Sequence, residues 1–153
     1  MRSHLLPTLA LAAAVAVPAS AHAQPQQSGR AKARVYVAAL KPVRADIRDY
    51  SAMRANATIR TRARGRRARI AIRARALAPR RTHRWAIVNR RCRGPRLAGW
   101  TYTRLRSGRR GNARATGSAR RFRLPRRPRR YVVVYQPGTR VPLLCGRVRV
   151  KRT

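Results

Sequence analysis

Between residues 67 and 77 the chain alternates arginine with aliphatic residues at a period of two. Ala68, Ile70, Ile72, Ala74 and Ala76 fall on one side; Arg67, Arg69, Arg73 and Arg75 fall on the other. Successive side chains of a strand point to opposite faces, so the pattern specifies a strand with one buried face. The preceding stretch, Ala57–Arg64, does the same. Ala57, Ile59, Thr61 and Ala63 oppose Thr58, Arg60, Arg62 and Arg64. Gly65 lies between the two runs and accepts the positive φ of a tight turn, which predicts a hairpin. A second hairpin turn is predicted at Ala78-Pro79-Arg80-Arg81. The strand after it should send Trp85 and Ile87 one way and Ala86 and Val88 the other.

The rest of the chain reads as further short strands and turns. Val35–Leu40 is apolar and β-prone, and Lys41-Pro42 should end it. Residues 43–56 hold both acids, Asp46 and Asp49, and suit a connection with a short strand. After Cys92 a looser segment is anchored by Trp100, Tyr102 and Leu105. Gly108–Asn112 and Gln136–Thr139 are turn signals. Ala113–Leu124 alternates again and ends in Phe122 and Leu124. Tyr131–Tyr135 is the most apolar strand and should be central, and Val141–Val150 carries Cys145. No segment has an apolar stripe of helical period, and no fixed repeat recurs. Seven to eight strands with evenly spaced turns predict an all-β fold, a single antiparallel β-sandwich or barrel.

The N-terminus has the anatomy of a secretory signal peptide. Arg2 supplies the charge, Leu5–Val17 the apolar run, and Ala21-His22-Ala23 the cleavage signal. The run is too short for a bilayer span of roughly 20 residues, and no lipobox cysteine sits near it. The expected organisation is a signal peptide at 1–23, a disordered leader at 24–34 and a β-sandwich domain at 35–153. Residues 24–153 suffice for one domain with a core. Localisation follows as secreted or periplasmic. Two cysteines, Cys92 and Cys145, remain in the exported chain. An even count there suggests one disulfide; two free buried thiols are the alternative.

Charge sets the partner class. Forty Lys and Arg stand against two acids, for a formal charge of +38, and arginine supplies all but three of the cations. Such a chain attracts polyanions: nucleic acid, envelope polymers, anionic membranes. A GC-rich genome would inflate Arg, Ala and Pro together, yet it leaves the shortage of Asp and Glu unexplained.

Four motifs resemble the copper/zinc superoxide dismutase fold and its non-enzymatic relatives, including CHRD-type domains. They are the hairpin over residues 55–79 running into Ala76-Leu77-Ala78-Pro79, the run Thr82-His83-Arg84-Trp85-Ala86-Ile87-Val88, Cys92 just beyond it, and Leu144-Cys145-Gly146. The resemblance spans roughly residues 35–150. It implies a Greek-key sandwich closed by a Cys92–Cys145 disulfide. The same resemblance argues against activity. The family's paired copper-binding histidines would fall at Ala86 and Val88, which cannot ligate a metal. His83 falls at a non-ligand position, and residues 93–112 contain no histidine or aspartate for zinc. No cofactor or metal is expected.

Other chemistry is poorly supported. No serine lies in a nucleophile-elbow context, and no phosphate-cradling glycine loop or zinc spacing occurs. The expected function is an exported, non-catalytic β-sandwich domain of the dismutase/CHRD-like group, acting at or outside the cell envelope. The alternative is a secreted arginine-rich protein that binds nucleic acid or envelope polymers. For that reading the candidate anion site is Arg121, Arg123, Arg126, Arg127, Arg129 and Arg130, held extended by Pro125 and Pro128. The arginines on the alternating strands are expected to solvate a sheet face.

Overall fold

The computed structural model describes residues 33–44, 50–62, 67–120 and 129–151. The expected signal peptide and most of the expected leader lie outside these residues, as do Asp46, Asp49, Phe122 and Leu124.

Eleven strands form among the described residues, all pairing antiparallel. They are β1 (Val35–Pro42), β2 (Arg54–Thr61), β3 (Ala68–Arg75), β4 (Thr82–His83), β5 (Trp85–Asn89), β6 (Trp100–Tyr102), β7 (Leu105–Ser107), β8 (Ala113–Ala119), β9 (Arg130–Tyr135), β10 (Pro142–Arg147) and β11 (Arg149–Val150). The excess over seven to eight has a local cause. Arg84 interrupts one strand, Thr103-Arg104 a second and Val148 a third, so the eleven pieces form eight runs of chain.

In space the order is β4-β7-β8-β3-β2-β1-β10-β9-β5, with β6 also on β8 and β11 also on β1. The two ends of this path, β4 and β5, are one bent strand broken only at Arg84. The Tyr135 N–H donates to the Arg84 carbonyl at 2.9 Å. The sheet is therefore nearly closed into a barrel. The runs β4/β5, β6/β7 and β8 lie side by side, and β3, which precedes them in the chain, returns beside β8; this is a Greek key.

The β2–β3 hairpin forms in the register that the alternation demands. Arg60 faces Arg69, Ile59 faces Ile70 and Ala57 faces Ile72. The second hairpin does not form. After β3 the chain leaves the sheet: Ala76 turns left-handed at φ 57° and is exposed, whereas Leu77 is buried. β3 instead pairs β8, and β5 pairs β9. β1 also runs past Leu40 through Lys41 and ends at Pro42. Lys41 faces Cys145 and Pro42 faces Leu144, because β1 passes from β2 onto β10. Gly146 permits that crossing, since a β-carbon there would lie 2.1 Å from the Ala39 carbonyl oxygen.

Most of the core fills the barrel. Leu40, Ile59, Ile70, Ile72, Ile87, Leu105, Val132, Val134 and Leu144 are at most 1 % exposed. A second, smaller cluster lies outside the barrel wall. Ala86, Val88 and Val133 point outward from β5 and β9 and pack against Cys92, Cys145, Tyr131 and Tyr135. Trp85 and Ile87 face inward, so the predicted division of that strand holds. Tyr131–Tyr135 lies between β5 and β10, as expected of its apolar run.

Candidate anion-binding face

Segment 90–99 folds back over the open edge of β5. The Leu97 N–H donates to the Ile87 carbonyl at 2.8 Å, and the Asn89 N–H to the Pro95 carbonyl at 3.0 Å. A Cys92–Cys145 disulfide, 5.9 Å between α-carbons, pins this flap to β10. Gly94 is required there, because a β-carbon would overlap the Asn89 carbonyl oxygen. Ala86 and Val88, at the positions marked for copper ligands, are wholly buried beneath the flap. His83 is buried as well, with Nδ1 3.0 Å from the Tyr135 carbonyl oxygen. Among the described residues, no group of three or more His, Cys, Asp or Glu converges.

The expected anion loop is only partly visible. Arg121, Arg123, Arg126 and Arg127 lie outside the described residues. Arg129 is exposed, and its carbonyl accepts from the Arg90 N–H at 2.7 Å. Arg130 is half-buried, and its guanidinium donates to Asn89 Oδ1, pinning the end of β9 to β5. Burial holds its pKa below the usual arginine range. Arg130 thus ties two strands together.

A different set of arginines does converge. The outer face of β2, β3 and β8 lines an open groove of about 1830 Å³, with Arg54, Arg60, Arg62, Arg67, Arg69, Arg73, Arg75 and Arg120 around it. Pairing fixes their arrangement. Arg54 faces Arg75, and Arg60 faces Arg69. Arg73 faces Arg114, which faces Arg106 on β7. Like charges directly opposite each other destabilise a sheet. Since the chain's two acids are Asp46 and Asp49, no described carboxylate side chain offsets these contacts.

Arginines occur over the whole described surface, at Arg81, Arg91, Arg140 and Arg147 among others. This face differs in being patterned. Between the Arg60–Arg69 row and the Arg73–Arg114–Arg106 row runs a row of small residues, Thr58, Ala71 and Thr116. The two arginine rows are four residues apart along each strand, or roughly 14 Å at the rise of a β-strand. The outward arginines of the hairpin were legible in the sequence, but as a solvated face. Their meeting with Arg114 and Arg106 depends on β8 pairing β3, which no local pattern announces.

Neither a protein-family model nor a curated protein sequence matches the chain.

Proposed function

We propose that this chain is an exported, non-catalytic β-barrel domain that binds polyanions through the outer face of β2, β3 and β8. The observation that carries the reading is the stacking of arginine directly opposite arginine on one face, with Arg54–Arg75 and Arg60–Arg69 lining the groove and Arg73–Arg114 at its side. A sheet that needs only solubility can mix signs or use neutral polar residues. A run of like charges costs stability until an anion neutralises it, and arginine's planar fork suits phosphate and carboxylate bidentately. Export is supported by the N-terminal anatomy and by the disulfide. Kinship with the dismutase/CHRD-like group is supported by the Greek key and by the bond from the β5 flap to β10. Burial of Ala86 and Val88 under the flap supports a role without copper chemistry.

The test compares two variants of equal charge. In one, Arg60, Arg69, Arg73 and Arg114 become alanine; in the other, Arg81, Arg91, Arg140 and Arg147 do. Binding to a labelled DNA oligonucleotide, used as a generic polyanion, is measured against salt. The groove variant should lose far more affinity, and its log K against log salt slope should flatten by about three. Equal losses from both variants would make binding a diffuse consequence of net charge and end the site reading.

A further inference from the structure

The groove also constrains the shape of what it binds. Thr58 and Ala71 lie on its floor, and their cross-strand row continues along the same face of the sheet to Thr116 on one side and to Val37 and then Arg149 on the other. That path crosses five strands at right angles, roughly 19 Å at the spacing of strands in a sheet. Over β2, β3 and β8 Arg60 and Arg69 stand on one side of it and Arg73 and Arg114 on the other, and the side chains between them, Thr58, Ala71 and Thr116, are short. Extended arginines from the two rows can close over one thin chain resting on the floor. A duplex is too broad to reach that floor and would touch only the rims.

The outward positions of β2, β3 and β8 carry arginine, threonine, serine, asparagine and alanine, and no aromatic ring. Single-stranded nucleic acid is ordinarily held by stacking its bases on aromatic side chains. Trp100 lies at the rim of the groove, but it faces Ala119 in the register, on the inward side of the sheet, and stacks on Tyr102 at 6.0 Å. The outward positions of these strands therefore offer anions a partner and bases no aromatic platform.

Resting on the polyanion reading above, we infer that the occupant is a single unbranched phosphate chain, laid across the strands over Thr58, Ala71 and Thr116 and held through its phosphates alone. Inorganic polyphosphate and poly(glycerol phosphate) share that chemistry. The first packs its phosphates densely, the second spaces them with glycerol.

The experiment measures binding of inorganic polyphosphate, poly(glycerol phosphate), single-stranded DNA and duplex DNA, matched in total charge, to the full exported chain. It is repeated with Ala71→Phe, which raises the floor without touching an arginine. Ala71 is exposed on a strand and phenylalanine is β-prone, so the fold should persist. Thr58→Tyr repeats the test on the neighbouring strand if the first variant does not fold. The floor variant should weaken the phosphate chains about tenfold and leave duplex DNA unchanged. Tighter binding of one phosphate chain than the other assigns the source. If single-stranded DNA binds tighter than both, recognition through phosphates alone is overturned. Unchanged binding of the phosphate chains by the floor variant, or an equal loss for the duplex, overturns the placement. The alanine set at Arg60, Arg69, Arg73 and Arg114 separates the two failures. If it still loses binding when the floor variant does not, only the placement falls; if it loses no more than its control, the site itself falls.

Discussion

The barrel has two unlike walls. In β3 and β8 burial alternates at every residue, and β2 keeps nearly the same rhythm. Half of each strand faces the core, and the other half faces solvent through arginine and short polar groups. In β5, β9 and the start of β10 consecutive residues are buried. Trp85 and Ile87 face the barrel, while Ala86, Val88 and Val133 face a flap that the disulfide holds down. One wall is a two-sided boundary between core and water; the other is a middle layer between two apolar clusters. The covalent link sits on the wall that cannot expose either face. The charge is patterned on the wall that must expose one.

The largest expected effect comes from uncovering the middle layer. The disulfide joins residues 53 apart in sequence. A loop of that size corresponds to about 4 kcal/mol of chain entropy removed from the unfolded state. Replacing Cys92 and Cys145 with serine should lower stability by about that amount in a denaturant titration, with native-state hydrogen exchange read in parallel. Amides of β5 and of Leu97 should lose protection first, and those of the β2–β3 pair last. Uniform loss across both walls would mean that the barrel opens as one unit and that the contrast has no energetic content.

A second effect tests the seam between the walls. Tyr102 belongs to β6, which pairs β8, yet its hydroxyl accepts the Ile87 N–H of β5 at 2.9 Å. The ring also meets Trp85 edge-on at 4.8 Å. Burial pushes its pKa up to about 12, against the lowering effects of the Ile87 N–H and of Arg96. The folded state thus holds a proton that the unfolded chain releases near pH 10. Stability from this group is complete below pH 10 and is lost as the pH rises towards 12, by about 2 kcal/mol. Tyr135 is raised by burial too and adds to the fall in the same direction. Melting temperatures taken from pH 9 to pH 12 should therefore decline, and Tyr102→Phe should make the decline shallower. An unchanged slope in that variant would place the titration elsewhere.

The difference between the walls was partly legible beforehand. Strict alternation at Ala57–Thr61 and Ala68–Arg75 is enough to set the hairpin and its register. A one-residue slip of β3 against β2 would send Ile70 and Ile72 into water. The unbroken apolar run at Trp85–Val88 is the mark of a strand buried on both faces. Pairing it with the half-exposed β3 across Ala78–Arg81 ignored that mark, and β9, another continuous apolar run, is its actual partner. Three features lay beyond local pattern. At the breaks the backbone bonds to distant residues: the Arg84 carbonyl accepts from the Tyr135 N–H, the Thr103 N–H donates to the Thr116 carbonyl and the Val148 N–H to the Arg130 carbonyl. The return of β8 beside β3 is a long-range choice, and it brings Arg114 to Arg73. Arg130 reads as one more loop cation until β9 meets β5 and Asn89 takes its guanidinium.

The smallest effect decides the most about the arginine wall. Arg73 faces Asn56 on one side and Arg114 on the other, with Arg106 next in the row. Arg73→Glu would turn the repulsive Arg73–Arg114 contact into an attractive one and leave every inward residue in place. Cross-strand charge pairs are worth 0.2 to about 1 kcal/mol, so the variant should be more stable by roughly 0.5–1 kcal/mol at low ionic strength. The gain should shrink as salt shortens the screening length. In the same variant polyanion affinity should fall, because a carboxylate now stands in one wall of the groove. Denaturant titrations at low and high salt, paired with binding isotherms, read both quantities on one protein. Opposite signs for stability and binding mean that the arginine row costs the fold something and serves the ligand. A variant that gains no stability at low salt would show that solvent already screens the row. The opposed arginines would then no longer distinguish a binding face from a solvated one.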